Sequence, residues 1–426
     1  MRKLGPALVA ALVVLGCGRA ETSPVPYSGS YKVFEAASTA NEPMVSVIDS
    51  RSHSVDRSVP LGAIAPSWKH IYTASGSRLN DLDPQTGNVL HSTRLPGDFH
   101  LPLMTVNGMP GGLSPNARWL VLQRFDDTPD GPPSATHLLL VDTTYARAIV
   151  PIDLTGYFEF DAVSNDGKRI FLIQYLGNAV YHVRFYDVSA GQLDPGIVFD
   201  KSEGDDAMTG LRLNGVASPD GQWLYSVYAR EHGGAFIHAL NLDSAIAFCL
   251  DLAGTGFATI TSTEMQWSLS LSTDGTHLYA ANGALGVVSE VVNPPDGAPS
   301  LTRTVKLTAP TASASGWLQG LIQDAEAKEI GVGGSVLSPD GQTLVVTGDT
   351  GVLWLDTATL RVTKRALSGW KLWSLAVTPD GKLLYAVSSG GRIAELPMHG
   401  SGEATFEGAA GVPLALVRVE AANPAP

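Results

Sequence analysis

Cysteine is nearly absent from this chain of 426 residues, which contains only Cys17 and Cys249. At most one pair could form, so the fold does not depend on the disulfide framework typical of small secreted domains. Cys249 lies in the apolar stretch AIAFCLDL. We expect it to be a small buried hydrophobic residue rather than a catalytic thiol.

Positive charge is also scarce. The chain has 28 Lys and Arg against 41 Asp and Glu, a formal net charge of −13, and no basic cluster offsets this balance. An acidic surface is repelled by the nucleic-acid backbone and by anionic lipid headgroups. The composition therefore predicts no nucleic-acid partner.

The usual motifs of metal and cofactor sites are missing as well. The ten histidines show no HxxxH, HxH or Cys/His spacing of the kind that gathers zinc or copper ligands. There is no nucleophile elbow, phosphate loop or dinucleotide fingerprint. We predict neither metal nor cofactor, and we find no evident catalytic constellation. An enzyme is not excluded, because single residues from distant segments could still converge.

Long apolar runs are absent except at the N-terminus, where residues 1–16 have the pattern of a signal peptide. A basic start is followed by an apolar core that is too short to span a bilayer. The core ends in Val-Leu-Gly-Cys17, which resembles a bacterial lipobox and implies lipidation of Cys17. An ordinary secretory peptide with an incidental cysteine is the alternative. Residues 17–30 have the polar, Pro- and Ser-containing composition of a flexible tether. We expect an extracytoplasmic protein held at the cell membrane or outer membrane by lipid alone.

What the chain has in abundance is a repeated turn followed by a strand. In each copy Ser or Thr precedes a Pro-Asp-Gly-like turn: Pro presets φ, Asp bonds its own backbone, and Gly accepts a positive φ. The segments after the turn alternate and are rich in Val, Leu and Tyr, which predicts strands. The copies include LSPNARWLVLQ, VSNDGKRIFLIQ, ASPDGQWLYSVY, LSTDGTHLYAAN, LSPDGQTLVVTG and VTPDGKLLYAVS, with a degenerate APSWKHIYTAS before them.

A second strand in each repeat usually closes on Asp, as in VSVID, LLLVD and LWLD, and another β-prone stretch follows. Four short antiparallel strands per repeat describe the blade of a β-propeller. These motifs resemble the YVTN-type β-propeller repeat family. The resemblance covers about residues 31–400 and implies an all-β propeller. The repeated aspartates are turn formers on this interpretation, not catalytic carboxylates.

The number of blades is seven or eight, and the strand count favours eight. The first unit, from Tyr31, lacks its own inner strand, whereas a spare segment, PLALVRVE, remains after the last blade. If that segment supplies the missing strand, the two chain ends join and the ring closes without an exposed edge. We place the propeller at residues 31–421 and a short tail at 422–426.

Residues at equal offsets before each turn should form a ring at one end of the central channel. Five positions before the Ser or Thr lie Glu159, Leu213, Trp267, Gly333 and Trp373. The two indoles could stack a ligand, or they could simply fill the space between blades, and the packing alternative is favoured.

Three stretches longer than a minimal blade requires are candidate binding loops. One runs from Arg124 to His137, and the second holds Arg230, Glu231 and His232. The third, residues 315–329, has the pattern of a short helix. Together with Glu159 and the two indoles, Arg124, Arg230 and His232 are our candidate ligand-binding residues.

The leading functional hypothesis is an envelope-anchored binding module with an unknown protein or small-molecule ligand at the channel mouth. A second hypothesis is a lactonase-like hydrolase, since some propellers of this type open lactones with His, Arg and Glu. Arg230, Glu231, His232 and Glu159 supply those residue types. A third is a quinoprotein-like or outer-membrane assembly propeller, suggested by LDPQTGNVLHS, which the other blades fail to repeat.

Overall fold

The repeated turn forms as its composition predicts. In the copy at Ser218, the hydroxyl donates to Asp220 at 2.5 Å and accepts from the amide of Trp223 at 2.9 Å. The amide of Gly221 donates to the Ser218 carbonyl at 2.8 Å, and Gly221 has a φ of 71°. The aspartate is therefore committed to its turn, as the repeat pattern indicates.

The strands that flank these turns form eight antiparallel sheets, so the molecule is an eight-bladed β-propeller. The computed structural model describes residues 30–128, 131–177, 180–200, 207–230, 234–252, 263–295, 297–307, 334–348 and 351–422. Within each sheet the strand order follows the chain from the inside outwards, except in the blade that contains both chain ends.

Blades 1 to 4 come from the N-terminal half and the last strand of the chain. Blade 1 consists of β32 (Val412–Ala421), β1 (Tyr31–Ser38), β2 (Pro43–Asp49) and β3 (Val55–Pro60); blade 2 of β4 (Ala63–Ile64), β5 (Ile71–Ser75), β6 (Arg78–Leu82) and β7 (Val89–Arg94); blade 3 of β8 (Trp119–Thr128), β9 (Gly131–Asp142) and β10 (Val150–Thr155); blade 4 of β11 (Phe158–Val163), β12 (Arg169–Gly177), β13 (Val180–Asp187) and β14 (Gln192–Leu193), with β15 (Met208–Thr209) also on β13.

Blades 5 to 8 each have four strands. Blade 5 consists of β16 (Leu211–Ala217), β17 (Trp223–Arg230), β18 (Gly234–Asn241) and β19 (Ile246–Asp251); blade 6 of β20 (Ser268–Leu271), β21 (His277–Asn282), β22 (Val287–Val292) and β23 (Ser300–Lys306); blade 7 of β24 (Ser335–Leu337), β25 (Thr343–Gly348), β26 (Gly351–Asp356) and β27 (Arg361–Ala366); blade 8 of β28 (Leu372–Val377), β29 (Leu383–Ser388), β30 (Arg392–Pro397) and β31 (Ala404–Glu407). A 3-10 turn, Glu264–Gln266, precedes blade 6.

The ring closes in blade 1, where the C-terminal strand supplies the inner position. β32 pairs antiparallel with β1 from Tyr31↔Ala421 to Ser38↔Val412. The amide of Ala422 also donates to the carbonyl of Ser30 at 2.8 Å. This pairing confirms the expected eight-bladed closure by the two chain ends, and it covers the edge that each terminal strand would otherwise expose.

The hydrophobic core is a series of clusters between neighbouring blades. One cluster packs Tyr225 and Val227 of blade 5 against Leu278 and Ala280 of blade 6, all fully buried. Another packs Val33 and Val419 of blade 1 against Tyr385 and Val387 of blade 8. Burial of these alternate side chains holds the ring together, since each blade covers the face of the next.

The stretch from Arg124 to His137 is not a loop: β8 and β9 pair through it, from Arg124↔His137 to Thr128↔Gly131. Cross-strand pairing outweighs the turn propensity of its Asp, Pro and Gly residues. The predicted helix at 315–329 lies outside the described residues. Across the described ranges, no helix is long and apolar enough to cross a membrane.

Candidate functional site

Inner strands of the blades run from one end of the channel to the Ser-x-Asp-Gly turns at the other. The end where inner strands begin and second strands finish is called the mouth here. Glu159 lies near the start of β11, and Arg124 and Arg230 lie in the second halves of β8 and β17. All three candidates are therefore on the mouth side of the ring.

Blade 3 departs from the others because a hairpin interrupts its inner strand. His100 exchanges two backbone hydrogen bonds with Gln123 of β8, and Gly112 accepts from the amide of Val121. Between them, residues 102–111 leave the sheet as a hairpin, with Leu103 opposite Pro110 and the amide of Met104 donating to Met109 at 2.9 Å. We call residues 102–111 the channel hairpin.

The channel hairpin crosses the centre of the ring. The amide of Val106 donates to the carbonyl of Leu213 in β16 of blade 5 at 3.0 Å. The side-chain amide of Asn107 donates to the carbonyl of Leu414 in β32 of blade 1 at 2.7 Å. Blades 1 and 5 face each other in a ring of eight. A segment bonded to both inner strands therefore occupies the channel.

Sequence reasoning missed this hairpin, although one signal was present. Asn107-Gly108 is a strong hairpin-turn dipeptide, and apolar residues flank it. In the structure Gly108 has a φ of 84° and its amide donates to Thr105 at 3.0 Å. The dipeptide lies between the degenerate repeat and the first clear one, where no strand was expected to be interrupted.

Glu159 lies in an aromatic cluster beside the channel hairpin. Its carboxylate accepts hydrogen bonds from the hydroxyls of Tyr157 and Tyr175, the second at 3.0 Å. The two tyrosine rings stack with centroids 4.7 Å apart, and Phe125 meets Tyr157 edge-on at 5.5 Å. Burial, followed by the hydrogen bond to Glu159, raises the pKa of Tyr157. The result is a half-buried carboxylate framed by aromatic rings.

Arg124 lies on β8 of blade 3, next to Phe125 in the chain. Its guanidinium sits over the ring of Phe99 at 5.4 Å and lies 3.8 Å from a carboxylate oxygen of Asp126. A carboxylate oxygen of Asp126 also lies 3.1 Å from Nε2 of His137. A carboxylate oxygen of Asp153 lies 2.5 Å from Nδ1 of the same imidazole. The hydrogen bonds that His137 donates to Asp153 and Asp126 raise the pKa of its imidazole. The charges here are thus largely paired within the blade.

Arg230 is engaged within blade 5. Its guanidinium pairs with Asp251 and lies 4.5 Å from the ring centroid of Phe236. Glu231 and His232 lie outside the described residues. Of the residues named for the lactonase-like hypothesis, the described ranges include Arg230 on blade 5 and Glu159 on blade 4.

The two indoles occupy different environments. Trp267 is 1% exposed and packs among Leu213, Tyr225 and Leu278 in the core between blades 5 and 6. Trp373 is half-buried against the cluster between blades 8 and 1. A bulge in β28 falls at Trp373, whereas Trp267 precedes β20. Equal sequence offsets therefore do not produce equal orientations.

The candidate residues thus separate into two sides of the ring. Glu159 on blade 4 accepts from Tyr157 of the aromatic cluster, and Arg124 lies on the neighbouring blade 3. Trp373 belongs to blade 8, which faces blade 4 across the channel. The channel hairpin lies between them, so these residues do not line one continuous pocket.

A buried ion pair beneath the hairpin was also missed. The guanidinium of Arg212 lies 2.6 Å from a carboxylate oxygen of Asp161, with the two side chains 11% and 1% exposed. The other terminal nitrogen of Arg212 donates to the carbonyl of Leu103 at 3.3 Å. The residues are fifty-one positions apart in sequence, so no local pattern signals the pair.

Acidic side chains elsewhere belong to a repeated structural arrangement. In three blades a tyrosine on the second strand lies directly opposite an acid on the third: Tyr72↔Asp81, Tyr279↔Glu290 and Tyr385↔Glu395. The hydroxyl of Tyr385, for example, donates to Glu395 at 2.8 Å. Because this pair recurs from blade to blade, it serves blade packing rather than one ligand site.

Comparison with known proteins agrees with the fold. No family model and no curated protein matches the chain. Among solved structures, apo AztD from Citrobacter koseri aligns with a TM-score of 0.53 at 12% identity, over 92% of this chain and 98% of that one. Dihydro-heme d1 dehydrogenase NirN, in complex with DHE, aligns with a TM-score of 0.50 at 15% identity, over 93% of this chain and 76% of that one. At such identities the likeness extends to the fold, and the chain is an eight-bladed β-propeller.

Proposed function

We propose that this protein is an envelope-held binding module that recognises a protein partner at its channel mouth. The observation that carries the proposal is the channel hairpin, which is bonded to inner strands of opposite blades. A small ligand has little room in a channel that a hairpin crosses. The protein partner would then bind the surface that the hairpin and the neighbouring blade ends form.

Exposed apolar side chains support this surface. Six of the ten large exposed hydrophobic residues of the described chain lie on fourth strands, at the outer rim: Val55, Val89, Leu90, Val150, Ile246 and Leu301. The other four lie at the mouth: Leu103, Leu176, Leu211 and Val412. Leu103 is 61% and Leu176 is 50% exposed. Apolar side chains gathered on a surface are typical of protein interfaces.

The mouth also indicates the chemistry of the partner. Glu159 accepts from two tyrosines, which leaves further lone pairs of its carboxylate for another donor. A carboxylate framed by aromatic rings favours an ammonium or guanidinium group, through charge and through cation–π attraction. We therefore propose a partner that presents an apolar side chain next to Lys or Arg.

Anchoring by lipid on Cys17 belongs to the same proposal, and Cys17 lies outside the described residues. A tether at residues 17–30 would hold the propeller clear of the membrane, free to present its mouth. No nucleic acid is expected as a partner, given the formal net charge of −13.

The test compares charged substitutions at the mouth with one at the rim. Leu103→Arg and Leu176→Arg place a cation on the proposed surface, and Leu90→Arg is the control, since Leu90 is 53% exposed on a fourth strand. Each folded variant is used to capture proteins from detergent-solubilised envelopes under crosslinking. We expect the two mouth variants to lose at least about ten-fold of the captured partner, which is roughly 1.4 kcal/mol. The control should retain it, and equal capture by all three variants would place the recognition surface elsewhere.

A further inference from the structure

Four fully buried polar atoms at the interface of blades 4 and 5 have no hydrogen-bond partner in the described parts of the chain. They are Asp161 Oδ2 on β11, Tyr181 OH on β13, Tyr228 OH on β17 and Nε2 of His238 on β18. Each residue is 1% exposed. Buried polar groups are almost always bonded, to protein or to an ordered molecule, because leaving them bare is costly.

These atoms belong to one group rather than to four separate places. The rings of Tyr181 and Tyr228 have centroids 6.0 Å apart, and those of Tyr228 and His238 lie 6.3 Å apart. The carboxylate of Asp161 acts electrostatically on all three side chains. We call the site formed by the side chains of Asp161, Tyr181, Tyr228 and His238 the interblade chamber.

The channel hairpin closes the chamber towards the mouth. Arg212 binds the other oxygen of Asp161 at 2.6 Å, and its guanidinium contacts the carbonyl of Leu103 and the sulfur of Met104, the sulfur at 3.6 Å. The arginine thus lies between the chamber and the hairpin.

The chemistry of the chamber favours a neutral occupant. Asp161 and Arg212 neutralise each other at close range. Burial raises the pKa of both tyrosines well above the ordinary value and lowers the pKa of His238, so all three are neutral near pH 7. A buried ion would meet no compensating charge there, which is strongly unfavourable.

The available groups also define what kind of neutral molecule fits. Asp161 Oδ2 accepts, the two hydroxyls donate and accept, and the imidazole nitrogen does either according to its tautomer. A hydroxyl group, which donates once and accepts twice, complements this set. An apolar occupant would leave all four atoms bare.

We propose that the interblade chamber binds a neutral hydroxyl-bearing molecule, either water or a small polyol. The site is separate from the recognition surface of the proposed function, so a negative result for one proposal leaves the other unaffected. A water of this kind needs two to four polar partners, and the chamber offers four.

The test uses tyrosine-to-phenylalanine variants, which remove one hydroxyl and nothing else. Tyr181→Phe and Tyr228→Phe are compared with Tyr186→Phe, on the same strand β13, whose side chain is partly exposed and does not belong to the chamber. If an occupant bonds the chamber hydroxyls, each chamber variant should lower the folding equilibrium constant about five-fold in chemical unfolding. The control should be unchanged or more stable.

Two measurements on the unmodified protein then distinguish water from a polyol in the chamber. A high-resolution crystal structure should show isolated spherical density for water, or connected density for a polyol. Native mass spectrometry should show the added mass only in the second case. Empty density, together with chamber variants as stable as the control or more so, would overturn the proposal.

Discussion

Glu35 is a buried carboxyl group whose ionisation should make the stability of this protein depend on pH. It is fully buried on β1, at the joint between blade 1 and blade 8. Its Oε2 accepts from the amide of Ala409 at 2.6 Å, and Oε1 has no partner in the described chain. Desolvation by burial raises the pKa of Glu35 from 4.5 to about 7, against the smaller opposing effect of the Ala409 hydrogen bond.

The sign of the effect follows from this raised value. Between about pH 4.5 and pH 7 the unfolded chain has released a proton that the folded chain still holds at Glu35. Stability therefore falls as pH rises through that window, and the loss is complete above the folded pKa. A shift from 4.5 to about 7 corresponds to about 3.5 kcal/mol, at about 1.4 kcal/mol per pH unit.

Glu35→Gln is neutral at every pH and should remove this loss. The carbonyl oxygen of the new side chain can still accept from the Ala409 amide, and its NH₂ takes the place of the unpartnered oxygen. At pH 8 we expect the variant to be about 2–3 kcal/mol more stable than the unmodified protein, with little difference at pH 4.5. For a chain of this size this corresponds to a Tm increase of about 3 °C.

The assay is thermal and chemical denaturation at both pH values, with Glu407→Gln as the matched control. Glu407 lies on β31 near the same joint, but its side chain is 80% exposed. The same change of charge there should leave stability almost unaltered at either pH. A Glu35→Gln variant that is no more stable at pH 8, or that gains equally at both pH values, would contradict a raised pKa at Glu35.

Three further predictions concern the turns, the indoles and the anchor. Gly221→Ala and Gly341→Ala both force a side chain to a φ near 72°, but only at Gly221 would the added Cβ meet neighbouring atoms within 3 Å. Denaturant titration should therefore show a loss of about 1 kcal/mol for Gly341→Ala and a larger one for Gly221→Ala. Trp267→Ala should lower stability by about 3–5 kcal/mol, whereas Trp373→Ala should have a smaller effect because that side chain is only half-buried; equal losses in calorimetry would contradict this assignment. Cys17→Ser should shift the protein from membranes to the soluble fraction or leave the precursor uncleaved, and mass spectrometry of the mature N-terminus checks the modification.

Much of the fold followed from local chemistry. The turn at Ser218 could be predicted because Pro, Asp and Gly each satisfy a specific backbone requirement within a few residues. The strands after each turn could be predicted because their side chains alternate between two buried faces. Closure through β32 followed by counting, since the first unit lacked an inner strand and one strand remained at the end.

The candidate site was less predictable, for two physical reasons. The stretch from Arg124 to His137 looked like a loop, yet pairing between β8 and β9 continues through it, because cross-strand hydrogen bonds depend on a partner strand as well as on local propensity. Trp267 and Trp373 occupy equal offsets, yet a bulge falls at Trp373 in β28, while Trp267 precedes its strand. Bulges change the direction of a side chain without changing the repeat that surrounds it.

By itself, the sequence determined the repeat and the turn chemistry, and it favoured the eight-bladed ring and the place where its ends meet. Each of these depends on contacts within one blade or between neighbouring repeats, and such contacts leave periodic patterns. Only the tertiary structure decided that residues 102–111 cross the channel from blade 5 to blade 1, and that Asp161 meets Arg212 beneath them. These contacts join segments far apart in the chain and occur once, so no repetition in the sequence marks them.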